Sequence, residues 1–167
     1  MSSEVPQNPA THVSSTQFRH ACGRFATGVT IATVLDSAGT PHGLTVNSFS
    51  SVSLDPPLVL VSLGHAVSAI EIFRAARYFG VNVLKSDQRE ISDRFARKDH
   101  DRFDGIAWRP GKTGVPLLSH TLAEIECEVV KIIPAGDHDI FLGEMVHARV
   151  HEGEPLVYFA SHYRNLE

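Results

Sequence analysis

Gly43-Leu44-Thr45-Val46-Asn47-Ser48-Phe49-Ser50-Ser51-Val52-Ser53 leads through Leu54-Asp55-Pro56-Pro57 into Leu58-Val59-Leu60-Val61-Ser62-Leu63. A stretch crowded with hydroxyl and amide groups thus stands directly before an almost wholly apolar one. Asn47, Ser48, Ser50, Ser51 and Ser53 are poor strand formers whose side chains compete for backbone hydrogen bonds. Beside an apolar strand they read either as groups kept for a polar ligand on a sheet or as an exposed, twisted edge strand. Asp55-Pro56-Pro57 ends the first segment. The run from Leu58 to Leu63, broken only by Ser62, predicts a strand covered on both faces and central in its sheet.

Working outward, Val29 to Leu35 is β-branched and apolar, and Asp36-Ser37-Ala38-Gly39 supplies turn chemistry before the next strand. A hairpin of 29–35 with 42–49 follows. Upstream, Phe18, Cys22 and Phe25 are spaced by four and three, which predicts a helix over Phe18–Ala26 with Thr16 as cap, an apolar face and Gly28 at its end. Downstream, Ser68-x-x-Glu71 reads as a capping box opening a helix that buries Ile70 and Phe73 and turns Glu71 and Arg74 to water. Tyr78 to Leu84 is a further strand, and a second helix starts at Asp87, with Glu90 three residues on and Ile91 and Phe95 on one face.

Arg97 to Arg102 is a mixed charge run and residues 110–116 are punctuated by Gly and Pro, so the pair reads as a long surface excursion. From Glu124 the alternation places Glu124, Glu126 and Glu128 outward and Ile125, Cys127 and Val129 inward. Gly136-Asp137-His138-Asp139 turns the chain. Ile140 to Val150 alternates again, with Leu142, Val146, Ala148 and Val150 on one side against His147 and Arg149. The sum is a mainly β chain, a β-rich barrel with short helices at its periphery.

The 167 residues suit one domain, whose burial of roughly two-thirds of its extended-chain surface leaves a sizeable core. At 43% hydrophobic and 20% charged, the composition is that of an ordinary globular domain, neither disordered nor membrane-embedded. A net charge of -4 lacks the basic field that nucleic-acid binding requires, so neither nucleic acid nor membrane is an expected partner. Residues 1–16, rich in Ser, Pro, Thr and Asn, have neither a basic start nor an apolar segment and read as a flexible arm rather than a signal peptide. Cys22 and Cys127 lie far apart and form no C-x-x-C, which fits a reduced, cytoplasmic setting.

Several motifs fail on chemistry. Gly111-Lys112-Thr113 resembles the end of a phosphate loop, but Ile106 stands where that loop needs glycine, and Pro116 blocks its helix. No G-x-G-x-x-G is present. His147 and His151 share a strand face about 13 Å apart, too far for one ion, so no metal is expected. Cys127 alternates inward and Cys22 sits on the apolar helix face, so neither reads as a nucleophile. More productive is a twice-repeated apolar strand followed by a hydroxyl-bearing helix start, at Ser68 and at Ser86-Asp87, where unpaired N–H groups suit phosphate. Lys85, Ser86, Gln88 and Arg89 would add charge and donors.

Thr27-Gly28-Val29-Thr30, Gly43 to Phe49, Ser53 to Leu58, Val81-Asn82-Val83-Leu84, Gly136-Asp137-His138 and Pro155-Leu156-Val157-Tyr158 together resemble the short-chain flavin reductases, in order, from about residue 17 to the C-terminus. The resemblance implies one domain over 17–167, an FMN-binding split β-barrel, usually a homodimer. It implies reduction of FMN or FAD by NADH or NADPH for a separate monooxygenase, one acting on an aromatic compound. Thr45, Val46, Asn47 and Ser48 would border the flavin ring, with Ser62, Leu63 and Ser68 near ribityl and phosphate. Thr30, Asn82, Ser86, Gln88 and Arg89 would form the other cofactor side, His138 would stand near nicotinamide and flavin, and Tyr158 would close the pocket. A flavin-storing or flavin-sensing module of the same fold is the alternative. The chain departs from its relatives at the less polar Gly64-His65-Ala66-Val67 and in lacking a glycine within Phe159-Ala160-Ser161-His162-Tyr163.

Overall fold

The computed structural model describes residues 13–98 and 101–166. Most of the expected N-terminal arm and the middle of the 97–102 charge run lie outside the described residues. The elements are α1 (Ser15–Cys22), β1 (Thr27–Gly28), β2 (Thr30–Leu35), β3 (Pro41–Val46), β4 (Ser50–Ser53), β5 (Leu58–Gly64), α2 (Ile70–Ala75), β6 (Tyr78–Val83) and α3 (Arg89–Ala96). The remainder is all strand: β7 (Trp108–Pro110), β8 (Pro116–Leu118), β9 (Ala123–Ala135), β10 (His138–Val150), β11 (Val157–Phe159) and β12 (His162–Arg164).

Seven strands form one antiparallel sheet in the order β3-β2-β6-β9-β10-β5-β4. The expected hairpin is β2–β3, pairing Thr30 with Val46 through to Leu35 with Pro41. Asp36 holds its turn by accepting from the Ala38 and Thr40 amides. The sheet curls until one edge approaches the other. There Ser48, just past β3, donates its hydroxyl to the Ser62 carbonyl at 2.9 Å and accepts the Ser62 amide at 3.0 Å. This is a split barrel, and its core packs Val34, Leu44, Val61, Phe73, Phe79 and Phe141 together. A second apolar cluster under α3 joins Ile31, Leu84, Phe95, Leu118 and Leu156.

The strands covered on both faces are β2, whose Ile31, Ala32, Thr33 and Val34 are all fully buried, and β6, buried from Phe79 to Asn82; β5 is not. β5 lies second from the edge, with Val59, Val61 and Leu63 inward and Leu58, Leu60 and Ser62 half-buried. β2 gains its second cover from α3, β8 and the C-terminal segment, partners remote in sequence. The serine-rich stretch divides: Ser50 and Ser51 lie exposed on the edge strand β4, whereas Asn47 and Ser48 face a depression.

Four further expectations are corrected. The first helix is capped by Ser14, not Thr16, in a reciprocal box with Gln17; it ends at Cys22 with Gly23 as its C-cap and buries nothing, so Phe18 and Phe25 are exposed and so is Cys22. Ser68 and Asp87 cap nothing: α2 and α3 start after Ala69 and Gln88 without a side-chain cap bond. Ile70 and Phe73 are buried as expected, while Arg74 joins two carboxylates. Glu124 and Glu126 are buried rather than outward, because the 108–118 excursion folds back over them as the β7–β8 pair. On β10 the inward residues are Asp139, Phe141 and Gly143 rather than Leu142, and a bulge at Val146, between Met145 and His147, breaks the alternation beyond them.

Candidate active site

Two adjoining depressions, of about 300 Å³ and about 210 Å³, share Thr45 and Asn47 and form one groove. The first is walled by Leu44, Val46, Leu63 and Val67, with Ser48, Ser62, Gly64 and His138 at its polar side. The second lies between α3 and the C-terminal hairpin and is lined by Val29, Ser92, Ala96, Tyr158 and Tyr163. The two volumes together fall within the usual range of small-molecule sites. Apolar walls with few, placed polar atoms suit a flat heteroaromatic ring system, so the residues present fit a flavin and a nicotinamide.

The local sequence explains why this floor exists. Gly43 lets the Phe95 ring of α3 lie against β3, since a Cβ there would stand 2.9 Å from that ring. α3 therefore sits close enough for the Thr45 hydroxyl to donate to the Ser92 carbonyl at 2.6 Å. Gly64 is paired with His138 in the β5–β10 ladder, and the His138 ring lies over it, Nε2 being 3.4 Å from where a Cβ would be. His138 Nδ1 is 2.7 Å from the Asp137 carboxylate. That bond holds the Asp137 carboxyl below the ordinary carboxylate range and leaves Nε2 for a ligand edge.

Behind His138, Asp139 is buried and meets His65 Nε2 at 3.1 Å and Arg74 Nε at 2.7 Å. Burial pushes its carboxyl up, but the bonds from Arg74 and His65 prevail and hold it below the usual range. At the other end of the groove a chain of bonds runs through α3. Tyr163 donates to Asp93 at 3.0 Å, and its oxygen lies 2.8 Å from the Ser92 hydroxyl. Arg89 stacks on the Tyr163 ring, and Tyr158 meets that ring edge-on at 5.5 Å between centroids. Burial, joined by the Asp93 carboxylate, raises the phenol above its ordinary range and keeps it protonated.

The groove thus gathers Thr45, Val46, Asn47, Ser48, Ser62, Leu63, His138 and Tyr158 from the sequence-based set. Ser68 lines a small neighbouring cleft with His42, Gly43 and Ala69 instead. Thr30 and Asn82 are buried supports. Thr30 donates to the Val46 carbonyl, whereas Asn82 donates to Ile31 and Thr33 and accepts the Leu118 amide. Gln88 is buried and spent on the Lys85 amide and the Ser119 carbonyl. Arg89 faces Asp93 and Tyr163. Ser86 lies beside the C-terminal segment, its amide donating to Glu154. Ser92 and Tyr163 were missed from sequence. The available signal was a small polar residue, Ser92, three positions from Phe95 on the buried face of α3.

Residues 22–167 match the family model described as flavin reductase like domain. The chain is 44% identical over 161 residues to the FMN reductase (NADH) SmoA of Agrobacterium fabrum, covering 93% of this chain and 91% of that one. It is 40% identical to the reductase component of a flavin-dependent trigonelline monooxygenase of Acinetobacter baylyi over 77% of its length, but spans only 42% of that protein. The first curated relative is spanned to a similar 41%. Among solved structures, the NADH:FAD oxidoreductase SgcE6 of Streptomyces globisporus in complex with NAD and FAD fragments superposes with a TM-score of 0.86 at 37% identity, covering 91% of this chain and 92% of that one. A flavin-handling split barrel is the class that fold and groove define. This chain belongs to the flavin reductase family.

Proposed function

We propose that the chain is an NAD(P)H:flavin oxidoreductase that reduces FMN or FAD and supplies it to a separate monooxygenase, one acting on an aromatic compound. The observation that carries this reading is the groove itself, where Thr45, Asn47, Ser48, Ser62 and His138 edge apolar walls. When both ligands are bound, the reduced nicotinamide supplies a hydride that the oxidised flavin takes up. The protein's share is to stack the rings at short range, exclude water with Leu44, Val46, Leu63 and Val67, and offer polar atoms to the ring edges. His138 faces the ring edge with Nε2, positioned by Asp137, and no nucleophile is required of the chain. Thr30, Asn82 and Gln88 act from behind, fixing the strands and the α3 start, with Ser68, Ser86 and Arg89 flanking the groove.

The kinship with a monooxygenase reductase component supports the partner. A homodimer is the expected assembly: α1 buries nothing within the protomer, and Leu54 and Phe25 are 93% and 78% exposed. No helix among the described residues is long and apolar enough to cross a membrane; the unpaired Cys22 and Cys127 suit the reducing cytoplasm.

The test is steady-state oxidation of NADH and of NADPH with added FMN, FAD or riboflavin. Fast turnover that depends on one flavin is expected. Tight flavin binding without turnover would replace the reading with a storage or sensing module. His138→Ala is expected to raise the KM for nicotinamide or to slow turnover; an unchanged variant would take His138 out of the site.

A further inference from the structure

The hydrogen bonds at the apolar end of the groove have a single direction. The Tyr163 phenol has one proton, and it goes to Asp93 Oδ1. The Ser92 hydroxyl at 2.8 Å must therefore donate to the phenol oxygen. The Thr45 hydroxyl has also spent its proton, on the Ser92 carbonyl. Thr45 consequently meets the groove with lone pairs only. A ligand at this end satisfies it with an N–H group, of the kind carried by an amide on a flat heteroaromatic ring.

The same bonds hold the groove's outer wall. Tyr158 and Tyr163 belong to the β11–β12 hairpin, whose two-residue turn is built from Ala160 and Ser161 at φ 48° and 66°. Both are left-handed positions where glycine would be unstrained. The turn is retained by the Ala160 amide donating to the Gly23 carbonyl at 2.8 Å, and the hairpin's hydroxyl contact with α3 is the Tyr163 phenol. The β1–β11 ladder, which pairs Thr27 with Tyr158, and Arg89 over the Tyr163 ring also hold this hairpin, and the phenol adds its bonds to α3.

We propose that Tyr163 is a positioning residue: its hydroxyl clamps the C-terminal hairpin to α3 and so sets the far wall of the depression that Thr45 lines, where the Thr45 lone pairs accept an amide N–H of the bound ring. The proposal rests on the groove being the flavin and nicotinamide site. Such an N–H is present in both the nicotinamide carboxamide and the flavin N3–H, and separate titrations distinguish them. Tyr163→Phe keeps the ring between Arg89 and Tyr158 and deletes only the hydroxyl, while Ser92→Ala removes the other hydroxyl of the clamp and leaves the Ser92 carbonyl to Thr45.

FMN affinity is read from quenching of flavin fluorescence, NADH from its KM, and folding from Tm. In both variants one of the two affinities is expected to weaken about fivefold to tenfold, the worth of one or so hydrogen bonds. Turnover at saturation should fall much less, and the affinity loss should exceed anything accounted for by Tm. Weakened FMN with unchanged NADH places the flavin against this wall; the reverse places the nicotinamide there. If Tyr163→Phe fails to fold, Ser92→Ala alone carries the test. Unaltered affinities in a folded variant, or equal losses of affinity and turnover that follow Tm, would overturn the clamp. An unmodified chain that neither quenches FMN nor oxidises NADH would instead bring down the reading of the groove.

Discussion

Glu126 on β9 and Asp139 on β10 are both buried carboxylates, yet they are held by opposite chemistry. Glu126 accepts from the Lys112 amide at 3.0 Å, the Thr113 amide at 2.7 Å and the Thr113 hydroxyl at 2.6 Å. These donors are neutral and belong to one turn. Gly111 admits the carboxylate, since a Cβ there would lie 2.5 Å from its carboxyl carbon. Asp139 is instead gripped by the Arg74 guanidinium and the His65 imidazole. In each case burial raises the carboxyl and the bonded donors bring it below its ordinary range. A buried charge costs several kcal/mol unless compensated, and the chain compensates once by shape and once by charge. The shape-held anchor fastens a loop far from the groove in sequence, and the charge-held one sits next to His138.

The contrast breaks most visibly at Glu126. Glu126→Ala leaves two amides and a hydroxyl of the 112–113 turn without an acceptor and opens a void beneath it. Loss of stability by roughly 2–4 kcal/mol is expected from urea unfolding. A loss below about 1 kcal/mol would mean that water replaces the carboxylate at no great cost, and the shape-held description would fail.

This anchor also shows where sequence reading stops. The alternation around Cys127 identified β9, and Cys127 is fully buried with its thiol pushed up to about 12, chiefly by burial. The same alternation turned Glu124 and Glu126 to solvent, because period-two patterning cannot see a loop that folds back over the outer face. The β2–β3 hairpin was legible since its turn chemistry is local. The floor of the groove was legible at Asn47 and Ser48 because their side chains contradict strand propensity, while Thr45 and Val46 came from the family resemblance. Ser92 and Tyr163 were not, being 47 and 71 positions from the residues they serve, with only a mismatch on a helix face to betray one of them. Asn82 is the converse case: the family resemblance put it on the cofactor side, and its bonds to Ile31, Thr33 and Leu118 hold its side chain inside the core.

Acid titration sharpens the comparison with a smaller effect. A carboxyl whose folded pKa is depressed contributes stability that is present above its unfolded pKa, about 4 for both types, and lost as pH falls through the folded value. Both anchors therefore act at neutral pH and fail only below about pH 4. Arg74→Met removes the cation and lets burial dominate at Asp139, so acid unfolding should begin at higher pH than in the unmodified chain. Thr113→Val leaves Glu126 its two amides and should move the onset less. Raising salt to about 1 M, where the screening length is about 3 Å, should shift the unmodified chain toward the Arg74→Met onset. It should do little to the gap that Thr113→Val opens. Circular dichroism against pH at two salt concentrations measures both, and equal salt sensitivity of the two gaps would erase the distinction.

The smallest effect belongs to His65. Its imidazole is 40% exposed and supplies one of the bonds to Asp139, while Arg74 holds the carboxylate through two nitrogens. Its backbone amide separately donates to the Asp137 carbonyl at 2.9 Å, so the turn that carries His138 keeps a tether when the side chain is changed. His65→Asn should therefore cost no more than about 0.5 kcal/mol, because Arg74 still holds the buried carboxylate, and the acid onset should stay well below that of Arg74→Met. A cost above about 1 kcal/mol, or an onset matching Arg74→Met, would make the imidazole rather than the guanidinium the grip on Asp139. The charge-held anchor would then depend on the β5–α2 loop instead of on α2 itself.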